Sequence, residues 1–138
     1  MPGEIALGPE RDVPQRRSLD IAVLSDIHGK RWALEAVLDD LSGRGIAGYV
    51  NLGDCVYGPL DPAGTIRLLM AHDHPTVRGN EDRVLCEPGA AGAHAATVGH
   101  VLRQLEPEYL AWLSNLPLTL TLEDELLLCH GTPERDDA

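Results

Sequence analysis

Four short apolar runs each lead into residues of metal-binding type. Ile21–Ser25 runs into Asp26-Ile27-His28-Gly29, and Tyr49–Leu52 into Gly53-Asp54. Thr76–Arg78 runs into Gly79-Asn80, and Leu126–Cys129 into His130-Gly131. Carboxylate, imidazole and amide oxygen together suit borderline-to-hard divalent ions such as Mn, Fe, Zn or Ni. Asp26, His28, Asp54, Asn80 and His130 are too many ligands for one catalytic ion with open positions. They are a natural start for two ions sharing a carboxylate. Two such ions, about 3.5–4 Å apart, can hold a hydroxide and clamp both ends of an in-line displacement at phosphorus. A glycine beside each ligand lets the backbone turn sharply and a phosphate come close.

These residues meet only if the fold brings the four run ends to one crevice. The runs at 21–25, 48–52 and 75–78 read as strands, the third the weakest. A helix is predicted from Arg31 to Ser42, with Trp32, Ala33, Ala36, Val37, Leu38 and Leu41 on its apolar face. A second is predicted from Pro62 to Ala71, with Asp61 as its N-cap. The steps from Asp26 to Asp54 and from Asp54 to Asn80 each match about one βαβ unit of about 30 residues. Residues 81–92 are rich in small residues and turns. Helical patterns return over 94–105 and 107–115, and 118–122 with 126–129 reads as a hairpin. The fold class is therefore α/β, layered, with a sheet that is parallel at its start. In open α/β sheets, ligands bind beyond the carboxyl ends of the strands, where all five candidate residues fall.

The chain has 138 residues, about one domain. Residues 1–18 read as a flexible leader and 19–138 as the domain. Eleven basic against twenty-two acidic residues give a formal charge of −11. That argues against bulk nucleic-acid binding and against a basic membrane surface. A small phosphorylated substrate remains open if a metal reverses the local field. Cys55, Cys86 and Cys129 show no C-x-x-C spacing and read as reduced thiols. With no signal-like run and no span of about 20 apolar residues, the expectation is a cytoplasmic protein.

Asp26-x-His28, Gly53-Asp54 followed by Pro59, Gly79-Asn80-x-Asp82 and His130-Gly131 resemble the calcineurin-like metallophosphoesterases. Ser25-Asp-Ile-His-Gly29, Tyr57-Gly-Pro59 and His130-Gly-Thr-Pro133 resemble its compact bacterial branch. The resemblance implies packed β-sheets flanked by helices, with two divalent ions, Mn foremost and Fe, Zn, Ni or Co as alternatives. It implies that Asp26 and His28 bind the first ion, Asp54 bridges, and Asn80 and His130 bind the second. Asp54, Asn80 and Glu81 are then the catalytic candidates. Two departures stand out. The family's third motif places a histidine, a donor to phosphate, where this chain has Glu81. Its loss implies a preference for diesters. The closing Gly-His-x-His motif is absent, and the chain stops eight residues after His130. The expected function is a phosphoesterase acting on a small phosphodiester or nucleotide. The rival is a binding or scaffold module of the same fold, and a truncated product is a third reading. Missing strands would leave a sheet edge open, which predicts weak metal binding and pairing into homo-oligomers.

Other residues read more simply. Gly43-Arg-Gly-Ile-Ala-Gly48 matches G-x-G-x-x-G, but it follows a helix and precedes a strand, the reverse of a dinucleotide site. It reads as a helix stop. His72 and His74 suit a helix end. His94 and His100 read as solvent or core positions, either able to approach a phosphate from an overlying segment. Cys55, Cys129, Trp32 and Trp112 read as core.

Overall fold

The computed structural model describes residues 20–137, so the leader read at 1–18 lies outside the described residues. The order is β1 (Ala22–Leu24), α1 (Arg31–Gly43), β2 (Tyr49–Asn51), α2 (Pro62–His72) and α3 (Asn80–Cys86). Two 3-10 turns follow, at Pro88–Ala90 and Gly92–His94. Then come α4 (Ala95–Leu102), α5 (Pro107–Ser114), β3 (Thr119–Leu122) and β4 (Leu126–Cys129).

β1 and β2 pair in parallel, Val23 opposite Val50, with α1 as the crossover. β3 and β4 form the predicted antiparallel hairpin, Leu120 opposite Leu128. The strand predicted at 75–78 is reduced to a single parallel bridge between Asn51 and Thr76. Pro75 has no N–H to give a ladder. Val77 N–H still reaches the Asn51 carbonyl at 3.0 Å, but the Gly79 N–H, next on that edge, turns to Asp82 Oδ2 at 2.8 Å.

Every residue of β2 is buried. Because successive side chains of a strand point to opposite faces, β2 joins two cores. Tyr49 packs with Leu34, Val56, Ile66, Leu69, Leu85, Val101 and Leu113, under the helices. Val50 packs with Val77 and Leu128, beneath the hairpin. The sheet is thus covered by helices on one side and by β3–β4 on the other.

Two helical expectations change. α1 buries Leu34, with Leu38 and Leu41 partly covered, a row at helical spacing of three to four. Trp32 lies on another face, 56% exposed, with the Arg31 guanidinium 4.9 Å from its ring centroid. It is not a core residue. Trp112, on α5, packs against the core as predicted, and Cys55 is fully buried. α3 is the element that the sequence does not announce. It is short, with only Leu85 as a fully buried apolar side chain, and Asp82 is buried beside it.

A candidate metal centre at the ends of β1, β2 and β4

The hydrogen bonding of β1 to β2 continues past the strands. Asp26 N–H donates to the Gly53 carbonyl, His28 N–H to that of Asp54, and Gly29 N–H to that of Cys55, each at 3.0 Å. The Asp26–His28 and Gly53–Cys55 loops therefore run side by side. Asp26, His28 and Asp54 have φ of 56°, 51° and 56°, the left-handed region. Such residues cost roughly 1–3 kcal/mol each and persist where surrounding contacts over-determine them. The outcome is convergence. One ligand atom from each of Asp26, His28 and Asp54 lies within 4.8 Å of the others.

His28 and His130 are oriented alike. His28 Nδ1 is 3.1 Å from the Tyr57 carbonyl, and His130 Nδ1 is 2.7 Å from the Leu52 carbonyl. A carbonyl only accepts, so each ring donates from Nδ1, which in the neutral imidazole leaves the Nε2 lone pair free. His28 Nε2 faces Asp26 Oδ1 at 3.5 Å, and His130 Nε2 faces Asp54 Oδ2 at 3.4 Å. Those separations exceed an N–H···O hydrogen bond. They set lone pair against carboxylate, an arrangement that a cation completes. Backbone-oriented imidazoles beside carboxylates are the usual supports of a metal site. The donor set fits a divalent ion.

Asp54 is 4% exposed, and its Oδ1 accepts the Glu81 N–H at 3.0 Å. Glu81 and Asn80 open α3, whose start abuts the Gly53–Asp54 loop. Asn80 is half-buried there, one residue before the N–H that holds Asp54. The Glu81 carboxylate does not stand alone in the crevice. Its Oε2 is 3.0 Å from His28 Nδ1. Burial, then the Asp54 charge, raise the Glu81 carboxyl above its ordinary range, and His28 opposes them.

Asp82, in the third motif, has no role that its sequence position assigns, and the structure gives it one. Its Oδ2 accepts from Asp54 N and Gly79 N and its Oδ1 from Cys55 N, all at 2.8 Å. It ties the β2 loop to the start of α3. Burial pushes its carboxyl up to about 6, against the pull of the Cys55 and Gly79 backbone donors. An acid three residues after a turn glycine is a capping position, which is the signal that could have marked it. Tyr57 was also missed, and no spacing rule points to a residue that works through its carbonyl.

His100 Nε2 lies 3.1 Å from the Pro59 carbonyl, and His94 Nδ1 lies 2.9 Å from the Tyr57 hydroxyl. His94 is exposed and His100 half-buried, so neither is a core residue. His72 and His74 stand beside the Tyr49 ring, at centroid distances of 6.4 and 4.2 Å. α1 stops at Gly43 and Gly45 takes φ +73°, so the glycine-rich stretch is a helix stop as read. Among the described residues, no helix is long and apolar enough to cross a membrane.

Known proteins resemble this chain in sequence and in fold. The chain is 42% identical over 129 residues to the uncharacterized protein MJ0912 of Methanocaldococcus jannaschii, covering 85% of this chain and 51% of that protein. It resembles the crystal structure of a metallophosphoesterase from Sphaerobacter thermophilus, with TM-score 0.60 and 32% identity, over 75% of this chain and 44% of that one. A structure provisionally described as a diadenosine tetraphosphatase matches with TM-score 0.64 and 28% identity, over 81% of this chain and 50% of that one. The chain spans about half the length of these relatives. A sequence model of the calcineurin-like phosphoesterases matches residues 19–137, nearly the whole domain, and the chain belongs to that family.

Proposed function

We propose that this domain hydrolyses phosphoester bonds at a centre of two divalent ions, Mn foremost. Asp26 and His28 would hold one ion, Asp54 would be shared by both, and Asn80 and His130 would hold the other. The observation that carries the reading is the matched pair of imidazoles. Each has Nδ1 on a backbone carbonyl and Nε2 facing a carboxylate, and both belong to one strand-end cluster with Asp54. Bound ions would supply positive charge to the phosphoryl oxygens and acidify a water.

The chain's own residues do the rest. The carbonyls of Leu52 and Tyr57 fix the imidazole tautomers. The Asp82 clamp and the Glu81 N–H hold Asp54 in place. Glu81 brings negative charge where a monoester dianion would carry its own, so a diester, with one charge fewer, is the better substrate class. A small phosphodiester or nucleotide ester fits this electrostatics. The Glu81 charge also supports a second reading, a metal-binding scaffold that does not turn over.

The two readings separate in one experiment. Elemental analysis of the purified chain is paired with Mn-dependent hydrolysis of p-nitrophenyl phosphate and bis(p-nitrophenyl) phosphate. Two ions per chain with faster diester hydrolysis supports the enzyme. Bound metal with neither hydrolysis supports the scaffold.

A further inference from the structure

Tyr57 touches two histidines at once. Its carbonyl holds His28 Nδ1, and its hydroxyl holds His94 Nδ1 at 2.9 Å, with the two rings edge-on at 5.9 Å between centroids. His94 is the residue from which α4 starts. The helix is fixed at a second point, in its last turn, by His100 on the Pro59 carbonyl at 3.1 Å. His94 is thus an exposed side chain on an anchored segment at the rim of the metal centre. It lies within electrostatic range of Glu81, the carboxylate that stands 3.0 Å from His28.

The tautomer of His94 follows from its partner. A phenol is a better donor than a neutral imidazole, and an imidazole nitrogen is the better acceptor. The Tyr57 hydroxyl therefore donates to Nδ1, and the His94 proton sits on Nε2, pointing away from Tyr57 as a donor. Asp26, Asp54 and Glu81 offer a phosphate only repulsion, and Glu81 occupies the position where the resemblance expects a donor. The His94 Nε2–H is such a donor at the rim.

We propose that His94, oriented by Tyr57, is a substrate-binding residue whose Nε2–H donates to an oxygen of the phosphoester held at the metal centre. This rests on the phosphoesterase reading above and adds to it the residue that replaces the missing third-motif imidazole. Tyr57 is the positioning residue.

The test uses the ¹⁵N-labelled chain loaded with Zn, which is diamagnetic, and titrated with inorganic phosphate while imidazole resonances are followed by NMR. Before phosphate, His94 shows an acceptor-type Nδ1. On titration, His94 Nε2 shifts together with His28 and His130. His94→Ala weakens phosphate binding about five- to tenfold, His94→Gln, which keeps an N–H donor, recovers most of it, and Tyr57→Phe loses the single Nδ1-acceptor tautomer. Phosphate that shifts His28 and His130 but leaves His94 unmoved overturns the inference and leaves the phosphoesterase reading standing. So does a His94→Ala chain that binds phosphate like the parent. Phosphate that shifts none of the three overturns both.

Discussion

Asp82 accepts three backbone N–H groups at 2.8 Å, from Asp54, Cys55 and Gly79, while fully buried. Replacing it with alanine orphans three donors, each costing about 1–3 kcal/mol. Against this stands relief of a buried charge. Lifting the carboxyl from 3.8 to about 6 corresponds to about 3 kcal/mol between its two ionisation states. The net expectation is a loss of about 3 kcal/mol for Asp82→Ala at pH 7. Asp82→Asn keeps an oxygen for two of the donors and sheds the charge, so it should stay within about 1 kcal/mol of the parent. The pH dependence has a definite sign. The folded state binds the Asp82 proton more tightly than the unfolded state does. This contribution is therefore full below the ordinary carboxyl range and is lost as pH rises through about 6. Urea unfolding between pH 4 and pH 8 reads it, in chelator, because a divalent ion beside Asp54 would pull the Asp82 carboxyl down. The parent should gain on the Asn variant as pH falls from 7 to 4. Equal urea midpoints for the parent and Asp82→Ala at pH 7 would refute the clamp.

Further outcomes follow from the same contacts. Asp54→Ala should remove metal from both positions together, since Asp54 has a ligand atom within 4.8 Å of those of Asp26 and His28 and its Oδ2 is 3.4 Å from His130 Nε2; elemental analysis that finds one ion retained contradicts a bridging role. Glu81→His should raise monoester relative to diester hydrolysis, and an unchanged ratio of the two rates means that the residue only buttresses His28. Burial pushes the Tyr49 phenol up to about 12, so its ionisation, followed by absorbance at high pH, should trail the other tyrosines and vanish in Tyr49→Phe. Because the folded phenol keeps its proton longer than the unfolded one, stability should fall as pH rises from about 10 to about 12.

Much of the candidate site was legible because its candidate ligands follow apolar runs. Asp26, His28, Asp54 and His130 each stand just past a strand, and the strands do place them together. The hairpin and the Asp61 cap, whose carboxylate accepts the Gly64 N–H at 2.9 Å, follow from local chemistry and were readable for that reason. α3 was not readable, because its seven residues bury one leucine and one aspartate, too little for a periodic signal. The strand at 75–78 is cut short by the missing N–H of Pro75, which the sequence shows, and by the turn of the Gly79 N–H to Asp82, which it does not. Trp32 misled because α1 is apolar around much of its girth, and tertiary packing chose the Leu34–Leu38–Leu41 row. Asp82 and Tyr57 act on the backbone of distant loops or through their own backbone, and side-chain type alone does not announce either.

The close approach of the loops around Asp54 also bears on how such a centre can evolve. Gly53 takes φ +100°, and a Cβ there would collide with the backbone of Gly79. A Cβ on Gly79 would strike Asp54, and one on Gly58 would strike the carbonyl of His28. Most random replacements at these three positions should therefore abolish the centre outright, and few should retune it. In a saturation library, positions 53, 58 and 79 should accept almost nothing but glycine. Exposed His94 and half-buried Tyr57, whose side chains only border the cradle, should accept many residues at a graded cost. A lineage carrying this domain would keep its metal chemistry frozen while its substrate range drifts through the rim.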